Sequence, residues 1–213
     1  MDIVFKNIVP KNIRNEYISK SSIWDKHITF KQSEFYLIRS ISGRGKTTLI
    51  NYLSGKKTDY SGTQLHREDN CKYLNAEGWI QKRKNEIALV NQDLKLINEL
   101  TVIDNLLLKL ELTSYIIDTK IDHYLKALNI DDLKFKKCNI LSMGQLQRVA
   151  IIRSLLQPFQ WLLLDEPFSH LDQKNKENAL SLIINTAKEQ KAGIVLTSLD
   201  LEEKIDLFKT IDL

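Results

Sequence analysis

The sequence predicts an α/β chain in which parallel strands alternate with helices, antiparallel strands lead, and a helical lobe is inserted midway. Three observations predict it. Apolar runs at 35–38, 87–90, 161–164 and 194–197 have strand length and end in polar residues. The first run is joined to a following helix by a glycine-bearing loop, Ser40-Ile41-Ser42-Gly43-Arg44-Gly45-Lys46-Thr47-Thr48. Between the second and third runs, Leu100, Val102, Ile103, Leu106, Leu107 and Leu110 fall at helical spacing.

Composition narrows the class. The 213 residues suit one domain with a real core, and the net charge of +4 is mild, with cations scattered apart from Lys82-Arg83-Lys84. Nothing in this balance demands nucleic acid. Cys71 and Cys138 lack metal-ligand spacing and fit a reduced compartment. The N-terminus Met1-Asp2-Ile3-Val4-Phe5 does not read as a signal peptide, and no apolar run approaches the ~18 residues of a membrane span, so any work at a membrane needs another chain to cross it.

Residues 1–35 alternate short apolar runs, Ile3-Val4-Phe5 and Ile28-Thr29-Phe30, with polar turns, and read as antiparallel strands. Tyr17 and Trp24 either stack on a flat ring, worth ~1–3 kcal/mol by analogy with base–aromatic pairs, or sit half-buried in those strands.

Phe35-Tyr36-Leu37-Ile38 reads as a buried strand, and Leu49-Ile50-Asn51-Tyr52-Leu53 as a helix running to Gly55. The N–H groups from Gly43 to Thr48 would face one concavity, to which the helix N-terminus adds positive potential. Gly43 and Gly45 let the backbone approach phosphate oxygens. Lys46 would reach the β- and γ-phosphates and Thr47 would hold Mg²⁺. The strict pattern has glycine where this chain has Ser40. The alternative is an ordinary turn before a helix.

Residues 56–85 read as polar and irregular, with turns at Gly62 and Gly78. Ile87-Ala88-Leu89-Val90 is a strand ending at Asn91-Gln92-Asp93, which makes Gln92 a candidate for touching Mg²⁺ or an attacking water; alternatively it is merely solvated. Residues 100–136 read as helical, capped by Thr101, with a second helix from about Ile121 to Leu128 and a Leu-rich face that suits core. Leu141-Ser142-Met143-Gly144-Gln145-Leu146-Gln147-Arg148 then opens a helix, with Ser142 and Gln145 spaced as a capping box. It is either only a helix start or a second phosphate-binding N-terminus presenting Ser142 and Gly144.

Trp161-Leu162-Leu163-Leu164 is apolar on both faces, as a central parallel strand should be, and ends in Asp165-Glu166-Pro167. Asp165 would hold the metal and Glu166 polarise the water that attacks the γ-phosphate. Phe168 to Asp172 leads to a helix from about Lys174 to Gln190, closed by Gly193. Ile194-Val195-Leu196-Thr197 is the last core strand, with Ser198-Leu199-Asp200 at its end.

In this order the motifs resemble the nucleotide-binding domain of the ATP-binding-cassette (ABC) transporter family over essentially the whole chain. Ser42 to Thr48 (Ser42, Gly43, Arg44, Gly45, Lys46, Thr47, Thr48) resembles the Walker A loop, Gln92 the Q-loop, and Leu141 to Gln145 the LSGGQ signature. Leu162 to Glu166 resembles Walker B with its following glutamate, Ser169 to Asp172 the D-loop, and Tyr17 lies where the family's adenine-stacking aromatic is usually found. The resemblance implies a P-loop NTPase core with a mixed, mainly parallel sheet at about 1–99 and 157–213, an antiparallel β subdomain, and a helical signature lobe at about 100–156. It implies ATP and Mg²⁺ as cofactors, with Thr47, Gln92 and Asp165 at the metal and Glu166, Lys46 and Gln92 catalytic. It further implies a head-to-tail dimer, homo- or heteromeric, in which Ser142, Gly144 and Gln145 bind the other subunit's ATP. It also implies membrane-spanning permease partners that dock near the Q-loop and hold the chain at the cytoplasmic face of the membrane. Residues 93–106 are similar to the lipoprotein-release, cell-division and macrolide-efflux branch, and the chain ends soon after Asp200 with no regulatory domain expected there.

The chain departs from the pattern at Ser40, at Met143, which replaces the first signature glycine, and at Leu199, which replaces the switch histidine. Leucine cannot hydrogen-bond a γ-phosphate. Two readings follow: an ATP-hydrolysing transporter subunit, or an ATP-gated clamp that regulates a membrane complex with slow turnover. A chromosome, DNA-repair or translation ATPase is disfavoured, because the chain has neither a long coiled coil between its motifs nor a second cassette.

Overall fold

The computed structural model describes residues 1–67, 69–113, 118–200, 203 and 205–213, the side chains of 112–113 and 118–119 excepted. The chain runs β1 (Ile3–Pro10), α1 (Asn15–Lys20), β2 (His27–Phe30), β3 (Phe35–Arg39), α2 (Lys46–Leu53), β4 (Tyr60–His66), β5 (Asp69–Asn70), α3 (Ala76–Asn85) and β6 (Ile87–Val90). It continues through α4 (Val102–Thr113), α5 (Asp118–Ala127), α6 (Met143–Leu155), β7 (Trp161–Asp165), α7 (Gln173–Glu189), β8 (Gly193–Ser198) and β9 (Phe208–Asp212).

The strands form two sheets, one parallel and one antiparallel. Five are all parallel, in the order β6-β7-β8-β3-β9, and four are antiparallel, in the order β2-β1-β4-β5. In the parallel sheet, β7 and β8 are buried at every residue, as strands covered on both faces must be. One apolar cluster gathers α4, α5, α6 and α7 on the parallel sheet. The other joins the antiparallel sheet, α2 and α3 to that sheet's remaining faces through Tyr36, Trp161, Leu163 and Val195. Because the parallel strands share a direction, their carboxyl ends lie along one edge, and the residues following β3, β6, β7 and β8 converge there.

Several expectations need correction. The leading segment is not all strand: Tyr17 lies on α1, and Trp24 is fully buried, edge-on to Tyr52 at 6.0 Å, so it serves as core and not as a platform. The stretch 56–85 is ordered as β4, β5, a 3₁₀ turn at Cys71–Tyr73 and α3. Its inward positions include polar Gln64, His66 and Lys82, which mask the apolar period. A strand also follows β8: β9 is an edge strand whose exposed middle gives it no continuous apolar run. The helical stretch expected to reach 136 ends at Ala127 and is followed by a 3₁₀ turn at Asp131–Leu133. No helix among the described residues is long and apolar enough to cross a membrane.

Candidate functional site

Loop 40–46 is built for a turn that ordinary side chains resist. Gly43 and Gly45 have φ of +82° and +107°, a left-handed backbone that favours glycine at both positions. Ser40 does not appear among the positive-φ residues, which is why serine is tolerated there. Gly45 also begins α2, so the N–H groups of its first turn open toward the loop.

Lys46 is buried, and its Nζ donates to the Ser40 carbonyl at 2.7 Å and the Ile41 carbonyl at 3.2 Å, with Glu166 Oε1 at 3.4 Å. Burial holds the Lys46 ammonium below its usual range, opposed by the negative charges of Glu166 and Asp165. The two loops expected to share one substrate are thus tied directly, 120 positions apart in sequence.

A cavity of about 260 Å³ is lined by Ser42, Gly43, Gly45, Lys46, Thr47, Thr48, Gln92 and Glu166, with Asn12, Ile13 and Leu199. A second, of about 430 Å³, brings Thr47, Gln92 and Asp165 together with Asn51, Asn91 and Asp93. Thr47 and Gln92 line both. One buried carboxylate with a hydroxyl and an amide oxygen is a hard-oxygen donor set, and it fits Mg²⁺ completing its shell with phosphate and water. Leu199, 48% exposed, reaches the cleft with no polar atom to offer.

Asp165 and Glu166 are positioned by Thr197 on β8. Its Oγ1 lies 3.0 Å from Asp165 Oδ1 and accepts the Glu166 N–H at 3.0 Å. Glu166 itself has φ of +50°, a left-handed turn that redirects its carboxylate from the strand line.

Arg44 and Tyr17 lie outside both cavities, and the Arg44 guanidinium sits 5.3 Å from the centre of the Tyr17 ring. The Tyr17 ring is therefore already engaged by Arg44 of the phosphate-loop segment. Ser142, Gly144 and Gln145 line neither cavity. They form the capped start of α6: Gln145 N–H donates to Ser142 Oγ at 3.3 Å and Ser142 N–H to Gln145 Oε1 at 2.9 Å. Asp172 caps α7, accepting the Asn175 N–H at 2.8 Å.

Sequence reasoning missed the side chains that join these motifs. Buried Gln147 donates to Ser169 Oγ at 2.8 Å and accepts the His170 N–H at 3.0 Å, linking α6 to the segment after Glu166. Arg153, at the other end of α6, donates to the Leu94 and Lys95 carbonyls at 2.6 Å each, gripping the loop that carries Gln92. Gln147 reads in sequence only as the residue trailing the signature, and Arg153 carries no local mark, because each partner is far along the chain.

Residues 25–169 match the model of the ABC transporter family. The chain is 32% identical over 195 residues to the methionine import ATP-binding protein MetN of Clostridioides difficile, covering 90% of this chain and 60% of the relative. It is 31% identical over 200 residues to the spermidine/putrescine import ATP-binding protein PotA of Spiroplasma citri, covering 92% of this chain and 55% of the relative. It thus spans little more than half the length of these curated relatives. Among solved structures, it is similar to the dimeric post-hydrolysis state of the ATP-binding cassette MJ0796 bound to ADP and Pi, with a TM-score of 0.80, 25% identity, and coverage of 93% of this chain and 88% of that one.

Proposed function

This chain belongs to the ABC transporter family, and from that premise we propose that it is the ATP-binding, ATP-hydrolysing subunit that drives transport through membrane-spanning partners, working as a head-to-tail dimer. The observation that carries the reading is the junction of Lys46 and Glu166 in one cleft with Thr47 and Gln92. Incoming triphosphate competes for the Lys46 ammonium, now held by carbonyls and Glu166. Shifting Lys46 onto phosphate frees the Glu166 carboxylate to accept a proton from the attacking water. Thr47, Gln92 and Asp165 would hold Mg²⁺, which when bound neutralises phosphate charge. Thr197 keeps Asp165 and Glu166 in register while this happens.

The capped tip of α6, which lines neither cavity of its own chain, supports its use by the other subunit. The Arg153 grip on the Gln92 loop supports passing a nucleotide-dependent shift of α6 to partners docked beside that loop. Relatives named for import of methionine and polyamines favour an energy subunit at the cytoplasmic face of a membrane. The mild charge gives no reason to invoke nucleic acid.

The test is Mg-ATP turnover by the purified chain with and without Glu166→Gln. We expect the variant to lose ~100-fold or more in kcat while still binding Mg-ATP. Equal, background rates in both would overturn the reading.

One observation favours a second reading, an ATP-gated clamp with slow turnover: Leu199 occupies the cleft position expected of a histidine. Leu199→His should then raise kcat. A healthy wild-type rate left unchanged by that substitution would exclude the clamp.

A further inference from the structure

The cleft lacks an imidazole at Leu199, yet a histidine is fixed beside the surface that closes over the cleft in the proposed dimer. Of the chain's four histidines, His27 lies on the antiparallel sheet, His66 is buried in it, and His123 is on α5 against Tyr124. The fourth, His170, is exposed and four residues past Glu166. Its N–H donates to Gln147 Oε1 at 3.0 Å, and its carbonyl oxygen would be 2.6 Å from a Cβ on Gly144. Glycine at 144 is thus demanded by this backbone crossing. The His170 backbone is therefore packed directly against the tip of α6 at Gly144.

The ring is oriented as well as placed. Gln147 Nε2 donates to Ser169 Oγ at 2.8 Å, and Ser169 Oγ lies 2.9 Å from His170 Nδ1. Having accepted from Gln147, the hydroxyl can give its own hydrogen to Nδ1, which leaves the ring proton on Nε2. Nε2 makes no hydrogen bond among the described residues. The same Gln147 amide lies 3.4 Å from the Glu166 carbonyl, so the ring is tied through Ser169 and Gln147 to the hydrolytic segment of its own chain.

We propose that His170 of each copy donates a hydrogen bond across the dimer interface to the γ-phosphate bound by the other copy, supplying in trans the imidazole that Leu199 cannot. The inference rests on the dimeric ATPase reading above. In the step it assists, water adds to the γ-phosphorus and gives its proton to Glu166. The bond to the β-phosphate bridging oxygen breaks, ADP leaves with the electron pair, and His170 stabilises the charge on the transferred group.

Subunit complementation tests this. His170→Ala should lower kcat ~10- to 100-fold with little change in KM, the cost of one charge-assisted hydrogen bond made in the transition state. His170→Asn, which can keep a polar contact to Ser169, should lose activity similarly. Adding Leu199→His to His170→Ala should restore kcat. Co-expressed Glu166→Gln and His170→Ala chains should exceed either parent, because one site of the mixed dimer pairs an intact Glu166 with an intact His170 from the other chain. An unchanged kcat in His170→Ala, or mixed dimers no better than their parents, overturns the proposal while leaving the ATPase reading intact. Failure of the wild-type chain to bind Mg-ATP would instead sink that reading and this inference with it.

Discussion

At the carboxyl end of β8 a single hydroxyl serves two catalytic candidates. Thr197 is buried, accepts the Glu166 N–H, and lies against Asp165 Oδ1. Thr197→Val keeps the shape and removes the oxygen. It leaves a buried N–H without its acceptor and a carboxylate oxygen without its donor, which should destabilise by ~1–3 kcal/mol in denaturant unfolding. Turnover should fall too, because Glu166 turns at a positive φ that this hydrogen bond holds, and Thr197→Ser should recover part of both. Wild-type stability in Thr197→Val would show the hydroxyl to be idle. Asp165 and Glu166 were legible as a pair at a strand end, whereas Thr197 read only as the tail of an apolar run. Its role depends on β7 and β8 being neighbours, which spacing along the chain does not encode. The same holds for Gln147 and Arg153, whose partners lie across loops.

The elements that sequence revealed carry an apolar period or a cap: β1, β2, β3 into α2, β6, α4, β7, the capped α6, α7 and β8. Those it hid carry polar residues inward. On α3 only Trp79 and Lys82 are buried, so its amphipathic signal is faint, although Asn75 caps it at Gly78 N–H. Trp79 is nonetheless what packs α3 onto the end of α2. Gly55 there has φ of +66°, its N–H donates to the Tyr52 carbonyl at 3.0 Å, and a Cβ would fall 1.9 Å from Trp79 Cδ2. This helix stop therefore needs glycine for its backbone and for its neighbour. Gly55→Ala should destabilise by ~2–4 kcal/mol, summing the left-handed penalty and overpacking against an indole. Thermal unfolding should register it as a lower Tm. A variant as stable as wild type would mean that α3 can move freely off α2.

Across the whole molecule, the antiparallel sheet and its helices form a core that buries a titratable group far from the cleft. His66 is fully buried, its Nε2 2.8 Å from Gln64 Nε2 and its ring edge-on to Trp79 at 5.4 Å. Burial, with a smaller push from the Lys82 ammonium, drives its pKa down to about 3. Lys82 itself is paired with Glu86 at 3.3 Å and Asp69 at 3.5 Å, so those carboxylates answer Lys82 and leave His66 without an acid of its own. The folded imidazole is therefore neutral while an unfolded one protonates near 6.5. Below that pH the unfolded chain binds one more proton than the folded chain, so stability falls as pH drops from 6.5 toward the folded value. The slope is ~1.4 kcal/mol per pH unit from this residue, or ~3 kcal/mol by pH 4. His66→Gln should lose that component, so its unfolding free energy should decline less steeply than wild type between pH 6 and 4. One histidine ring resonance should likewise fail to titrate across that range in the folded protein. Parallel stability curves, with the His66 ring titrating normally, would mean that this core admits water or opens locally, and that the two sheets are less firmly joined than Phe30 and Tyr36, edge-on with centroids 5.1 Å apart, make them.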